Sequence, residues 1–171
     1  MNNLIRLSGA IAELVDADPW LLALTLPEAP TAPLILSLRD WLARQPAAGL
    51  PQEQSRVDAV CLQPDDDAEQ LQPYLSVLPL IAVHFPTFRD GRGYSQAYLL
   101  RTRMGWQGEL RAVGDVLRDQ LSHMRQCGFD AFAVREDKSA VDALKGLAGM
   151  SVLYGRSAIE PRPLFRRRRR P

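Results

Sequence analysis

Two arginines, one aspartate and two glycines crowd the stretch FRDGRGYSQA, residues 88–97. Arg89 and Arg92 are of the type that holds an oxyanion or carboxylate by paired N–H groups. Gly91 and Gly93 would let the backbone approach a ligand closely. Tyr94, Ser95 and Gln96 open a helical segment there, whose unpaired N–H groups and positive dipole end favour anions. A solvated turn in which Asp90 neutralises the arginines accounts for the same residues, and both readings stay open.

Further candidates stand at comparable places in the chain. His84 ends an apolar run, Asp115 follows Gly114, and Arg135, Glu136 and Asp137 follow another apolar run. Asp115 has the position of a helix N-cap, a post that can also face a site. Asp115 and His84 are the candidates for proton transfer. Arg111 and Arg118 would add positive charge, Arg111 only if its strand register turns it to the site. Asp119 and His123 have the spacing of a surface i, i+4 pair. Asp65, Asp66, Asp67 and Glu69 resemble a metal cluster, yet Asp66 and Glu69 fit a capping box, and no metal site is assigned. Cys61 and Cys127 form no C-x-x-C pair and read as buried small residues. Tyr74, Tyr94, Tyr98, Trp106 and Phe132 are scattered as packing residues are.

The elements that must position these groups follow a rhythm from residue 56 onward. Apolar strand patterns over 56–63, 78–85, 108–114 and 128–134 alternate with helical patterns over 64–75, 94–104, 115–127 and 138–150. A last short strand is expected at 151–154. Such βα units close right-handed onto a parallel sheet. The fold class is α/β, a mostly parallel sheet, either open or a partial TIM-barrel-like curl, since a full barrel needs about 250 residues. In either form, ligands collect beyond the carboxyl ends of the strands, where the candidates above fall.

Residues 1–55 supply an N-terminal unit packed on this 56–160 core. Leu4, Leu7, Ile11, Leu14 and Val15 recur at helical spacing and predict a short amphipathic helix. A Pro-rich segment follows, then a strand and helix over 33–45 and a polar linker over 46–54. Residues 161–171 are expected to be a disordered arginine-rich tail.

The chain of 171 residues carries a formal charge of +1. Arg162 and Arg166–Arg170 hold six positive charges, so the body without them is at −5 (+1 less 6). That body does not suit nucleic acid, and only the tail could bind it, with steep salt dependence. No apolar run approaches a membrane span. No leader pattern is evident, and a cytoplasmic protein is expected.

Across residues 78–135, FxDGRGYSQA, GELRAVGDVLRDQ and CGFDAF are strongly similar to a bacterial domain-of-unknown-function family (nine-three-four), described as an oxidoreductase of sulfite reduction. PLILSLRDWLA and LQPDDDAE extend the resemblance upstream, and PLFRRR extends it to the tail. The resemblance implies a place in assimilatory sulfate and sulfite reduction beside a sulfite reductase haemoprotein. No redox-cofactor motif is evident: there is no G-x-G-x-x-G and no cysteine set for an iron–sulfur cluster. The expectation is therefore an accessory partner of a sulfite-reduction enzyme before a reductase. The alternative is a small enzyme that binds an oxyanion or phosphate at the strand ends.

Overall fold

The apolar runs become strands because each is buried on both faces and bounded by residues that break regular structure. The computed structural model describes residues 3–9, 11–23, 32–45, 58–148 and 153–167. Eight strands form one curled, open sheet, a half-barrel, in the order β2-β1-β8-β7-β6-β5-β4-β3. These are β1 (Leu4–Ser8), β2 (Ile11–Val15), β3 (Leu21–Ala23), β4 (Leu34–Ser37), β5 (Ala59–Leu62), β6 (Leu80–Phe85), β7 (Glu109–Gly114) and β8 (Ala131–Ala133). From β3 to β8 every neighbouring pair is parallel, as the βα rhythm requires.

Because spatial order follows chain order, every right-handed crossover lands on the same face. The connections there are α1 (Leu38–Ala43), α2 (Arg92–Thr102), α3 (Leu121–Cys127) and α4 (Ala140–Ala143), with 3-10 turns at Ala68–Tyr74, Arg118–Gln120 and Leu144–Leu147. Large side chains point to that face: Leu36, Leu62, Phe85, Leu110 and Phe132 all join one buried cluster. The concave face carries a second, smaller cluster of Ile35, Ala59, Cys61, Leu80, Ala82 and Val113, against which Trp20 and Leu22 pack. Among the described residues no helix is long and apolar enough to cross a membrane.

The N-terminal helix expected over residues 4–15 is a β-hairpin instead, with Leu4 opposite Val15 and Ser8 opposite Ile11. Gly9 takes φ +62°, a turn geometry that no helix interior accepts. β1 also pairs with β8, so Leu4 and Ile5 are buried on opposite faces, and the period-2 signal of a half-buried strand is lost. The tail expected to be disordered from residue 161 holds α5 (Leu164–Arg167). Arg167 donates to Glu160 at 3.4 Å and to the carbonyl of Leu153, which draws this segment onto the body. The linker at 46–54, part of the Pro-rich segment, residues 151–152 of the last expected strand and the arginines beyond 167 lie outside the described residues; Leu153 and Tyr154 are not in a strand.

Arg111 and Asp18 fix the connection between the hairpin and the parallel run. Arg111 lies mid-strand on the concave face, and its guanidinium meets both carboxylate oxygens of Asp18 at 2.8 and 3.1 Å. Both side chains are 0% exposed. Glu109 holds the same guanidinium at 2.7 Å and also pairs with Arg6 at 3.0 Å.

Candidate functional site at the strand ends

Four loops converge beyond the carboxyl ends of β5 to β8, and each is tied to the next. After β5, the Gln63 backbone N–H donates to Asp66 at 2.7 Å, and Asp67 caps the following 3-10 turn through the N–H of Glu69 at 2.9 Å. The cap is thus Asp67, one residue beyond the Asp66 expected from the sequence. The side-chain amide of Gln63 accepts from Nδ1 of His84 at 2.8 Å. Its other end faces the Cys61 thiol. Gln96 stands beneath, its Nε2 donating to the carbonyls of Gln63 and Asp66 at 2.8 and 2.9 Å.

His84 closes β6 on the concave side. With Nδ1–H donated to Gln63, the neutral ring leaves Nε2 as an acceptor. Burial lowers its pKa from the usual 6.5, since a desolvated imidazolium is disfavoured. Gly114 packs against this ring. A Cβ there would sit 2.4 Å from the carbonyl oxygen of Phe85 and 2.8 Å from His84 Cδ2, and the backbone φ of +97° already disfavours any other residue.

The loop after β6 carries the FRDGRG segment. Its backbone is held at Phe88 from both sides: the N–H donates to Asp115 Oδ2 at 2.8 Å, and the carbonyl accepts from Gln120 at 3.1 Å. The Phe88 side chain remains 45% exposed. Arg89 is exposed and has no ion-pair partner among the described residues. Arg92 is held by Asp90, at 2.7 Å through Nη2, and by Asp65. That guanidinium keeps the Asp90 carboxyl below its ordinary range. Gly93 is buried at the start of α2. It lets the start of α2 lie on β6, for a Cβ there would stand 2.8 Å from the Phe85 ring. Tyr94 packs on Phe85 and His123 and accepts from Gln120, while Ser95 is exposed.

Asp115 does not cap a helix. Its backbone N–H donates to Phe85, and its carboxylate joins Phe88 to Arg135, the latter at 2.7 Å. Arg135 also holds Asp137, pulling that carboxyl down to about 2. Arg118 pairs with Asp142 at 3.1 Å. Arg111 is turned into the buried concave face, where Asp18 and Glu109 hold its guanidinium. His123 lies against Tyr94 and 3.8 Å from Cys127 Sγ instead of pairing with Asp119. Burial pushes the Cys61 thiol to about 12 and the Cys127 thiol to about 11, which leaves neither as a thiolate at neutral pH. Asp65 and Glu69, from the acidic run, serve Arg92 and Arg103.

The structure therefore brings His84, Arg89, Asp90, Arg92, Asp115 and Arg135 to one end of the sheet, with Arg118 beside them, and removes Arg111. It adds Gln63, Phe88 and Gln120. Phe88 had a sequence signal, as the one large apolar residue within a polar, glycine-bearing turn. The amides had none, because their partners lie 21 and 32 residues away.

A half-barrel of parallel βα units with converging loops defines the class. The model of the family described as Bacterial protein of unknown function (DUF934) matches residues 59–165, and the chain belongs to that family. No curated protein and no solved structure matches it.

Proposed function

We propose that this chain is a cytoplasmic accessory protein of assimilatory sulfite and sulfate reduction, which docks on the sulfite reductase haemoprotein through the loop after β6. The pathway comes from the family resemblance in FxDGRGYSQA and GELRAVGDVLRDQ. The docking reading is carried by one observation: a backbone pinned from both sides presents an exposed Phe88 next to Arg89, which has no ion pair among the described residues. Aromatic and arginine side chains dominate the energetics of protein interfaces. A loop already fixed in place loses little entropy when it docks.

The oxyanion reading has weaker support. Arg92, Arg118 and Arg135 each hold a carboxylate, which leaves Arg89 as the one arginine of this rim that an anion could meet without displacing an ion pair seen among the described residues. Electron transfer, in this account, belongs to the partner.

Tagged full-length protein recovered from sulfate-grown bacterial cells is expected to carry the sulfite reductase haemoprotein with it. Replacing Phe88→Ser and Arg89→Glu together should reduce that recovery roughly 30-fold, the effect of losing about 2 kcal/mol at an interface centre. Recovery of no sulfite-reduction enzyme, or equal recovery with the double variant, would sink the proposal.

A further inference from the structure

The curl of the sheet brings the start of β3 opposite the ends of β7 and β8. Trp20, Leu21 and Leu22, from the β3 end, face Gly114, Ala133 and Val134 across a cleft of about 720 Å³. That volume lies within the range of small-molecule sites, roughly 300–1,000 Å³. The cleft opens beyond the carboxyl ends of β7 and β8, the end at which parallel βα folds take ligands. Its walls are mainly apolar, with Asn3 as a neutral polar group and the charged groups Arg135, Glu136 and Asp137 gathered at one edge.

The charge at that edge decides what can enter. Arg135 is bound to Asp115 and Asp137, and Asp137 also holds Lys138 at 3.3 Å. Two cations thus face three carboxylates, counting Glu136. Glu136 is exposed and has no ion pair among the described residues, so the surplus negative charge is concentrated there. An anion meets repulsion and no free guanidinium. A cation meets an available carboxylate, and the Trp20 indole lines the same cleft as an aromatic surface for its flat body.

We propose that this cleft binds a small organic cation with a flat apolar body, placing the body against Trp20 and the charge at Glu136. The site is separate from the docking loop and does not depend on that reading.

Benzamidine and benzoate, planar and nearly equal in size but opposite in charge, are the probes. Trp20 reports occupancy, since Trp41 and Trp106 are buried. Benzamidine is expected to change Trp20 emission saturably, with a Kd of about 1 mM, as a ligand this small allows. Benzoate should bind roughly fivefold more weakly, the effect of one exposed charge. Glu136→Lys, at an exposed position, should reverse that preference. Ala133→Leu should block both probes by filling the cleft. The proposal is overturned by benzoate binding as well as benzamidine, or by no saturation up to about 10 mM. It is equally overturned by a response that survives Trp20→Phe, or by a preference that Glu136→Lys leaves unchanged.

Discussion

His84 and Arg135 give the residue scale its most direct tests, because each links neighbouring strand ends through one hydrogen-bonded group. Burial lowers the His84 pKa, so the unfolded chain takes up that proton before the native protein does. Stability is intact above the ordinary value of 6.5 and erodes as pH falls below it, until the lowered native pKa is passed. A proton-resolved titration should place the His84 midpoint below 6.5, and a midpoint at or above it contradicts this environment. The Asp137 carboxyl is held at about 2 by Arg135. Its contribution is present above the unfolded 3.8 and is lost as pH falls through about 2. Arg135→Gln should return the Asp137 midpoint toward 3.8; an unmoved midpoint would show that Lys138 alone sets it.

Elements meet so closely at the ends of β6 and β7 that two glycines have no substitute. Gly114→Ala adds a Cβ 2.4 Å from a backbone oxygen at a φ of +97°. The expected loss in urea unfolding is on the order of 3 kcal/mol, from strain and steric displacement together. Gly93→Ala overpacks against Phe85 and should cost about 1–3 kcal/mol. A loss below about 0.5 kcal/mol at Gly114 would contradict the packing described. The βα rhythm from residue 56 was legible because the strands are short and mostly apolar, β5 and β6 most clearly, with a breaker at the end of each. The hairpin was not, since Leu4, Leu7, Ile11 and Leu14 satisfy helical spacing by chance and only Gly9 marks the turn. Which loop holds which was illegible for a different reason. Asp115 and Gln120 reach Phe88 across 27 and 32 residues, and only the sheet order makes those distances short.

At the scale of the whole molecule, a half-barrel leaves its concave face to be covered, and part of the cover hangs on one buried ion pair. Asp18 crosses that face to Arg111, with both side chains out of solvent. Arg111→Leu leaves Asp18 buried beside Glu109 and should cost about 3–5 kcal/mol, as removal of one partner from a buried pair does. A urea midpoint unchanged by that variant would mean that the connection is held by packing alone. The cleft beside Trp20 and the loop after β6 are separate surfaces of the half-barrel, the first proposed for a small cation and the second for docking. Docking through the loop after β6 is measured by a binding isotherm between the purified full-length protein and the purified sulfite reductase haemoprotein. Saturable binding, weakened roughly 30-fold by Phe88→Ser with Arg89→Glu while the urea midpoint stays in place, is the expected result. No binding, or binding indifferent to that double variant, would contradict it.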